Sequence, residues 1–291
     1  MSSAFLQYLF SGLTIGSIYA LAGLGFSIIY NASRVINFAQ GEFIMIGAMA
    51  TVSLTGLGLP LLAAAPLAVA ATVLVGVAVA KFAITPARGA SPVTLIIITI
   101  GISVFLRGAA QALWGKGFHV LPPFSGDAPF VVLGAVLLPQ SLWVLGTTLV
   151  VIAGLGWFFG RTLHGKAMLA TSCNPLAAQL VGIRVSGVVL GAFGLAALLG
   201  AVGGIVMAPI TFTSADAGIM LGLKGFSAAV LGGLGNGAGA VLGGLIVGMA
   251  EAMSAGYLSS SYKEATAFAI ILFVLLFMPQ GLLGRAGTER V

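Results

Sequence analysis

Charge is what this sequence has least of. Six Asp and Glu and twelve Lys and Arg are spread over 291 residues, so charged side chains make up 6% of the chain. An ordinary soluble protein carries about a quarter. With 59% hydrophobic residues, no water-soluble fold could cover so much apolar surface, and the apolar runs must face lipid or one another. One cysteine, Cys173, excludes an intrachain disulfide and a cysteine-based metal cluster. Two histidines, His119 and His164, lie in separate connections, and neither belongs to an HExxH, HxxxH or Ser/His/Asp arrangement. Converging acids, bases and nucleophiles are therefore missing, which argues against a membrane enzyme, and no metal site is expected. No GxxxxGK[ST] occurs. The segment "GGLGNGAGAVLGG" follows no strand and opens no βαβ unit, so nucleotide binding by this chain is rejected. The net charge of +6 comes from scattered residues that never form a basic face, which excludes nucleic acid as a partner.

What is present is a series of apolar spans at about 5–30, 36–56, 60–84, 93–114, 138–160, 186–210, 219–234, 239–258 and 265–283. They predict an all-α fold: a polytopic membrane helix bundle with about eight or nine membrane segments, some broken or half-length, forming one domain over 1–291. The opening "MSSAFLQYLF" has no Lys or Arg, unlike a cleavable secretory signal, so the first span is expected to stay as a helix. Forty-three glycines are interleaved with Leu, Val, Ala and Ile. Small-xxx-small spacing at Gly12/Gly16, Gly187/Gly191, Gly200/Gly204, Gly235/Gly239, Gly239/Gly243 and Gly244/Gly248 reads as close helix packing.

If nine spans alternate, Arg34, Lys81, Arg88, Arg161, Lys166, Arg184, Arg285 and Arg290 share one side. Arg107, Lys116, Lys224 and Lys263 are left opposite. The bias of Lys and Arg to cytoplasmic loops then predicts an outside amino terminus and a cytoplasmic carboxy terminus. Span 219–234 is short and could be a half-helix, which would break this parity.

Three places crowd polar groups into the apolar background. "YNASRVINFAQGEF", residues 30–43, sets Asn37, Gln40 and Glu42 after a Gly- and Ser-containing span. It reads either as a broken transport helix, whose irregular backbone is tolerated only beside protein or water, or as a cytoplasmic turn with a capped helix. The loop at about 161–185 contains "NPLAAQLVGIR", too polar to cross and too apolar for a free linker. It either lies flat on lipid or docks into a cytosolic partner. Glu251 is an acid inside a span, expected to face the bundle, a water-filled path or a partner subunit, with a structural hydrogen bond as the plainer alternative. Lys224 is expected to snorkel to the surface.

"GLTIGSIYALAGLGFSIIYNASRVINFAQGEFIMIGA" resembles the amino-terminal signature of the permeases of branched-chain amino acid ABC importers, the LivH-type subunit. The resemblance extends through "PARGASPVTLIIITIGISVFLRG", the loop ending in "LVGI", "GLKGFSAAVLGGLGNGAGAVLGGLIVGMAEAMSAGYLSSSYKEA" and "FMPQGLLGR", almost the whole chain. It implies a permease in a bacterial cytoplasmic (inner) membrane that works by alternating access and is not itself an enzyme. The implied partners are a homologous second permease, two cytosolic ATPase subunits that bind ATP and Mg, and a periplasmic or extracellular solute-binding protein, all set in membrane lipid. No cofactor is expected in this chain. The resemblance places Asn37, Gln40, Gly41 and Glu42 on the translocation path. It assigns ATPase coupling to Gly165, Lys166, Ala170, Asn174, Ala178, Leu180, Gly182 and Ile183, with Ala178 near the centre of the contact, flanked by Leu180 and Ile183. Gln40 stands where relatives often have His. Leu169, Cys173 and Asn174 stand where relatives carry charges, so no salt bridge to the ATPase is carried over. A small hydrophobic, branched-chain amino acid is the implied cargo. Urea, amides or aromatic acids, and an ion-coupled carrier working alone, are the alternatives.

Overall fold

The computed structural model describes residues 2–284 apart from residue 88. Arg88, Arg285 and Arg290, used in the orientation argument, lie outside the described residues. Eleven α-helices follow in order: α1 Ser2–Ser33, α2 Gln40–Gly56, α3 Leu61–Val79, α4 Pro92–Trp114, α5 Pro139–Arg161, α6 Leu163–Cys173, α7 Pro175–Leu180, α8 Val185–Met207, α9 Ala217–Gly232, α10 Gly237–Tyr257 and α11 Lys263–Phe277. A π-helical turn, Ala80–Ile84, extends α3, closed by the Thr85 N–H donating to the Ala80 carbonyl at 2.8 Å. Each apolar span read from the sequence contains one helix, but α2 starts at Gln40, four residues into the span read as 36–56, and α11 ends at Phe277, six residues short of 283. Seven are long and apolar enough to cross a membrane, while α9 is a shorter apolar helix.

Helix starts follow local chemistry. Pro92, Pro139 and Pro175 occupy first-turn positions, where a missing N–H costs nothing. The side chains of Ser91 and Asn236 accept N–H donors from the first turns of α4 and α10, at 3.2 and 3.0 Å.

The core is α1, α2, α8, α9 and α10. Helices α3, α4, α5 and α11 turn most of their apolar surface outward. Glycine permits the tightest contact. A Cβ at Gly16 would stand 2.8 Å from the Leu245 Cα, and one at Gly248 would overlap the Gly16 backbone, so α1 and α10 touch backbone to backbone. Gly200 and Gly204 seat α8 on Phe43 and Ile44 of α2 in the same way. The Gly187/Gly191 pair departs from this expectation: Gly187 meets nothing within 4 Å, and Gly191 meets only the Met168 side chain, because this turn of α8 borders a cavity.

The contacts define two ends. At one, α6 and α7 gather with the end of α1, the π-helical turn and the α9–α10 turn: Asn31 Nδ2 donates to the Gly235 carbonyl at 2.6 Å, and Arg34 Nη2 to the Ser172 carbonyl at 2.6 Å. At the other end, His119 and Thr213 form a β-bridge and Tyr8 packs edge-on against Tyr257. A short antiparallel hairpin, β1 Phe130–Val132 and β2 Ala135–Leu137, also sits there. It turns through Leu133 and Gly134, both at positive φ, and Gln7 pairs with both backbone groups of Val136. Helix α9 begins beside Gly41, at the start of α2, and runs toward the end that holds α6 and α7. His119 and His164 lie at opposite ends.

Candidate functional site

The polar cluster at residues 34–42 is a true interruption between helices. Ser33 ends α1, Arg34 adopts φ 57°, and the chain turns back before α2 begins at Gln40. Gln40 lies against Gly25, roughly 12 Å along α1 from its end. The Gln40 Nε2 donates to the carbonyl of Ala196 in α8 at 3.0 Å. Helix α2 thus starts within the bundle, not at its rim, and residues 34–39 reach that depth as non-helical chain.

Buried backbone needs partners, and α4 supplies them. Thr99 Oγ1 accepts from the Phe38 N–H at 3.3 Å, and Ser103 Oγ donates to Glu42 Oε1 at 2.8 Å. One turn on, Arg107 Nε stands 3.9 Å from Asp216, whose Oδ1 also accepts from Gln111 Nε2 at 3.1 Å. Thr99, Ser103 and Arg107 recur every four residues on one helix face. Sequence reasoning missed this stripe, although its spacing was present as a signal.

Asn37, Gln40 and Glu42 are buried. Their Nδ2, Oε1 and Oε2 atoms, respectively, have no hydrogen-bond partner among the described residues. Such atoms are costly unless something else satisfies them. Gly41 serves a different end: a Cβ there would overlap the Gly218 carbonyl and stand 2.8 Å from the Gly222 Cα, so its hydrogen lets α9 close on the start of α2.

The loop at 161–185 folds as two helices. Asn174 divides them, its Oδ1 accepting from the N–H groups of Leu176 and Ala177 at 3.0 Å each. Lys166, Ala170, Asn174, Leu180 and Gly182 are exposed and Ile183 is half-buried. Ala178 departs from expectation, being only 3% exposed. It faces into its own chain, where its carbonyl accepts from the Ile183 N–H at 3.0 Å. Gly165 is also buried, against the backbone of Phe158 and Phe159. The outward apolar face of α7 and its end is instead Leu176, Leu180 and Val181, at 73%, 89% and 76% exposure.

Glu251 faces the bundle interior. Tyr19 Oη donates to its Oε2 at 2.8 Å and Lys224 Nζ to its Oε1 at 2.8 Å, with Lys263 Nζ at 3.6 Å from Oε1. Lys224 is 6% exposed, so it does not snorkel. A counter-ion within 3 Å inside the bundle outweighs the distant surface. Neither residue pattern nor spacing announces a pairing between two residues 27 positions apart on successive helices.

A family profile described as "Branched-chain amino acid transport system / permease component" matches residues 8–277. The chain is 33% identical over 301 residues to the high-affinity branched-chain amino acid transport system permease protein BraD of Pseudomonas aeruginosa, covering 99% of this chain and 98% of BraD. It is 34% identical over 303 residues to the corresponding LivH of Escherichia coli K12, again covering 99% and 98%. Among solved structures, a chain of PsaBC from Streptococcus pneumoniae in complex with Fab superposes with a TM-score of 0.53 over 96% of this chain and 97% of that one. At 14% identity, that likeness shows the fold alone. The near full-length match, carried on a polytopic bundle with a broken helix at its centre, makes this chain a member of the branched-chain amino acid transport permease family.

Proposed function

We propose that this chain is a membrane-spanning subunit of an ATP-driven importer and carries a branched-chain amino acid by alternating access. The observation that carries the reading is the near full-length match to BraD and LivH, at 33% and 34% identity. The site geometry supports it. A helix that begins inside the bundle, with three polar atoms at or just before its start that lack partners among the described residues, offers hydrogen-bonding groups where a solute would pass. The sites are few and uncharged save for Glu42, which suits passage because a tight fixed site would slow release.

ATP would be hydrolysed by two cytosolic ATPase subunits seated on α6 and α7, with a homologous permease alongside and a solute-binding protein delivering cargo at the opposite end. The α6–α7 end is then cytoplasmic, in the inner membrane of a bacterium, in keeping with Arg34, Lys81, Arg161, Lys166 and Arg184 lying there. One contact supports a route for motion: Arg34, at the head of the interruption, donates to the carbonyl of Ser172 in the last turn of α6. A push on α6 would reach residues 34–42 through that bond and the adjoining backbone.

The test is leucine uptake by proteoliposomes holding the assembled complex. Uptake that requires both ATP and the binding protein supports the reading. Uptake driven by an ion gradient without ATPase subunits would overturn it in favour of a lone carrier.

A further inference from the structure

At the end opposite α6 and α7, the bundle holds a cavity of about 210 Å³ between α1, α8, α9 and the start of α11. A single water needs only about 10–15 Å³ of such space, so there is room for water or for one small solute. Its walls are mostly apolar, with Ile15, Ile18, Ile210 and Phe212 among them, and they carry the two cations Lys224 and Lys263.

Both charged side chains that line this cavity are positive. Glu251 is the counter-ion of both lysines, and its oxygens are already engaged: Oε1 by Lys224 at 2.8 Å with Lys263 at 3.6 Å, and Oε2 by the Tyr19 hydroxyl at 2.8 Å. Two ammonium groups thus share one carboxylate. Lys263 is the looser partner, its side chain 43% exposed and beyond hydrogen-bond distance from Glu251. Glu264, next on α11, is exposed and does not line the cavity, though its charge reaches the Tyr19 hydroxyl. An anion entering here would gain a donor that Glu251 leaves free. A cation would meet two like charges and a carboxylate with no oxygen to spare.

The cavity also adjoins the path region. A space of about 20 Å³ shares the walls Met207, Thr211, Phe212, Ala217 and Leu221 with it and reaches Ile44 and Met45 of α2, within a turn of Glu42.

We infer that this cavity is a binding site for the carboxylate of a small apolar solute, held chiefly by the Lys263 ammonium with Lys224 behind it. The apolar walls take the hydrocarbon part. That the carboxylate belongs to a transported amino acid rests on the proposed function, whereas the carboxylate preference rests on the cavity alone.

The test is calorimetric titration of the nanodisc-embedded complex containing the full-length chain, without binding protein. The probes are leucine, 4-methylpentanoate, which lacks the amine, and 3-methylbutylamine, which lacks the carboxylate. Leucine and 4-methylpentanoate should bind saturably, with the amine at least about tenfold weaker. Lys263→Gln should weaken both carboxylates about tenfold, the scale of one charge-assisted hydrogen bond, and Lys263→Arg should retain them. Equal binding of amine and acid, unchanged affinity in Lys263→Gln, or no binding to assembled wild-type complex overturns the inference. Uptake without carboxylate-selective binding removes the site and keeps the transport reading. Selective binding without uptake does the reverse.

Discussion

Removing the Glu251 carboxylate should expose how strongly the bundle depends on it. In Glu251→Ala, Tyr19 Oη and Lys224 Nζ each lose a 2.8 Å bond, and an ammonium that is 6% exposed is left without a counter-ion. Breaking a buried pair from one side costs about 3–5 kcal/mol, mostly as the penalty of the orphaned charge. The 3.6 Å contact to the half-exposed Lys263 adds little, since such pairs are worth at most about 1 kcal/mol. Glu251→Gln keeps an acceptor but not the charge, and should cost roughly 1–3 kcal/mol. The double variant Glu251→Leu with Lys224→Met removes both charges and fills the space with apolar atoms, so it should recover to within about 2 kcal/mol of wild type. Denaturant titration of the purified chain in mixed micelles, followed by tryptophan fluorescence, measures all three. The reasoning fails if Glu251→Ala matches wild type, or if the double variant is as unstable as the single one, because either outcome would mean the pair is hydrated and not buried.

The remaining expectations concern coupling, packing and sidedness. Leu180→Asp, on the outward face of α7, should leave stability within about 0.5 kcal/mol while abolishing binding-protein-stimulated ATP hydrolysis. Ala178→Asp should instead destabilise the chain by roughly 1–3 kcal/mol, since it buries a carboxylate against its own helices; thermal unfolding separates the two. Gly41→Ala should cost about 1–3 kcal/mol and lower uptake, because its methyl group would overlap the Gly218 carbonyl of α9. In a Cys173→Ser background, a cysteine at Lys116 should react with an impermeant reagent in intact cells and one at Lys166 should not; the reverse pattern would invert the orientation.

The helices were legible because lipid leaves few alternatives: a polar backbone must be satisfied internally, so each apolar span became one helix. Residues 34–42 were legible for the same reason, since Asn37, Gln40 and Glu42 have no place on a lipid-facing surface. Sequence resemblance, not hydropathy, raised the turn-or-path alternatives to a path. The partners of this stretch were less visible. Thr99 and Ser103 look like ordinary helix residues until α4 is placed beside the interruption. The inward face of Ala178 could not be read, because α7 has six residues, under two turns, too few for a hydrophobic period to fix which side is buried. The hairpin at 130–137 escaped because Leu-Gly replaces the Asn-Gly or Asp-Gly that marks such turns. Lys224 and Glu251 each sit in Gly-rich apolar helices, and only the packing of α9 on α10 brings them together.

The central claim is that the interruption before α2 carries the solute. Asn37, buried with an amide nitrogen that has no partner among the described residues, is the residue to change. Leucine uptake by proteoliposomes should be measured for wild-type complex and for Asn37→Leu, at matched amounts of assembled transporter. The expected result is ATP-dependent uptake in wild type and at least about a tenfold loss in Asn37→Leu, the scale of one hydrogen bond lost in passage, with assembly preserved. Wild-type uptake rates in an assembled Asn37→Leu complex would contradict the assignment and move the path elsewhere in the bundle.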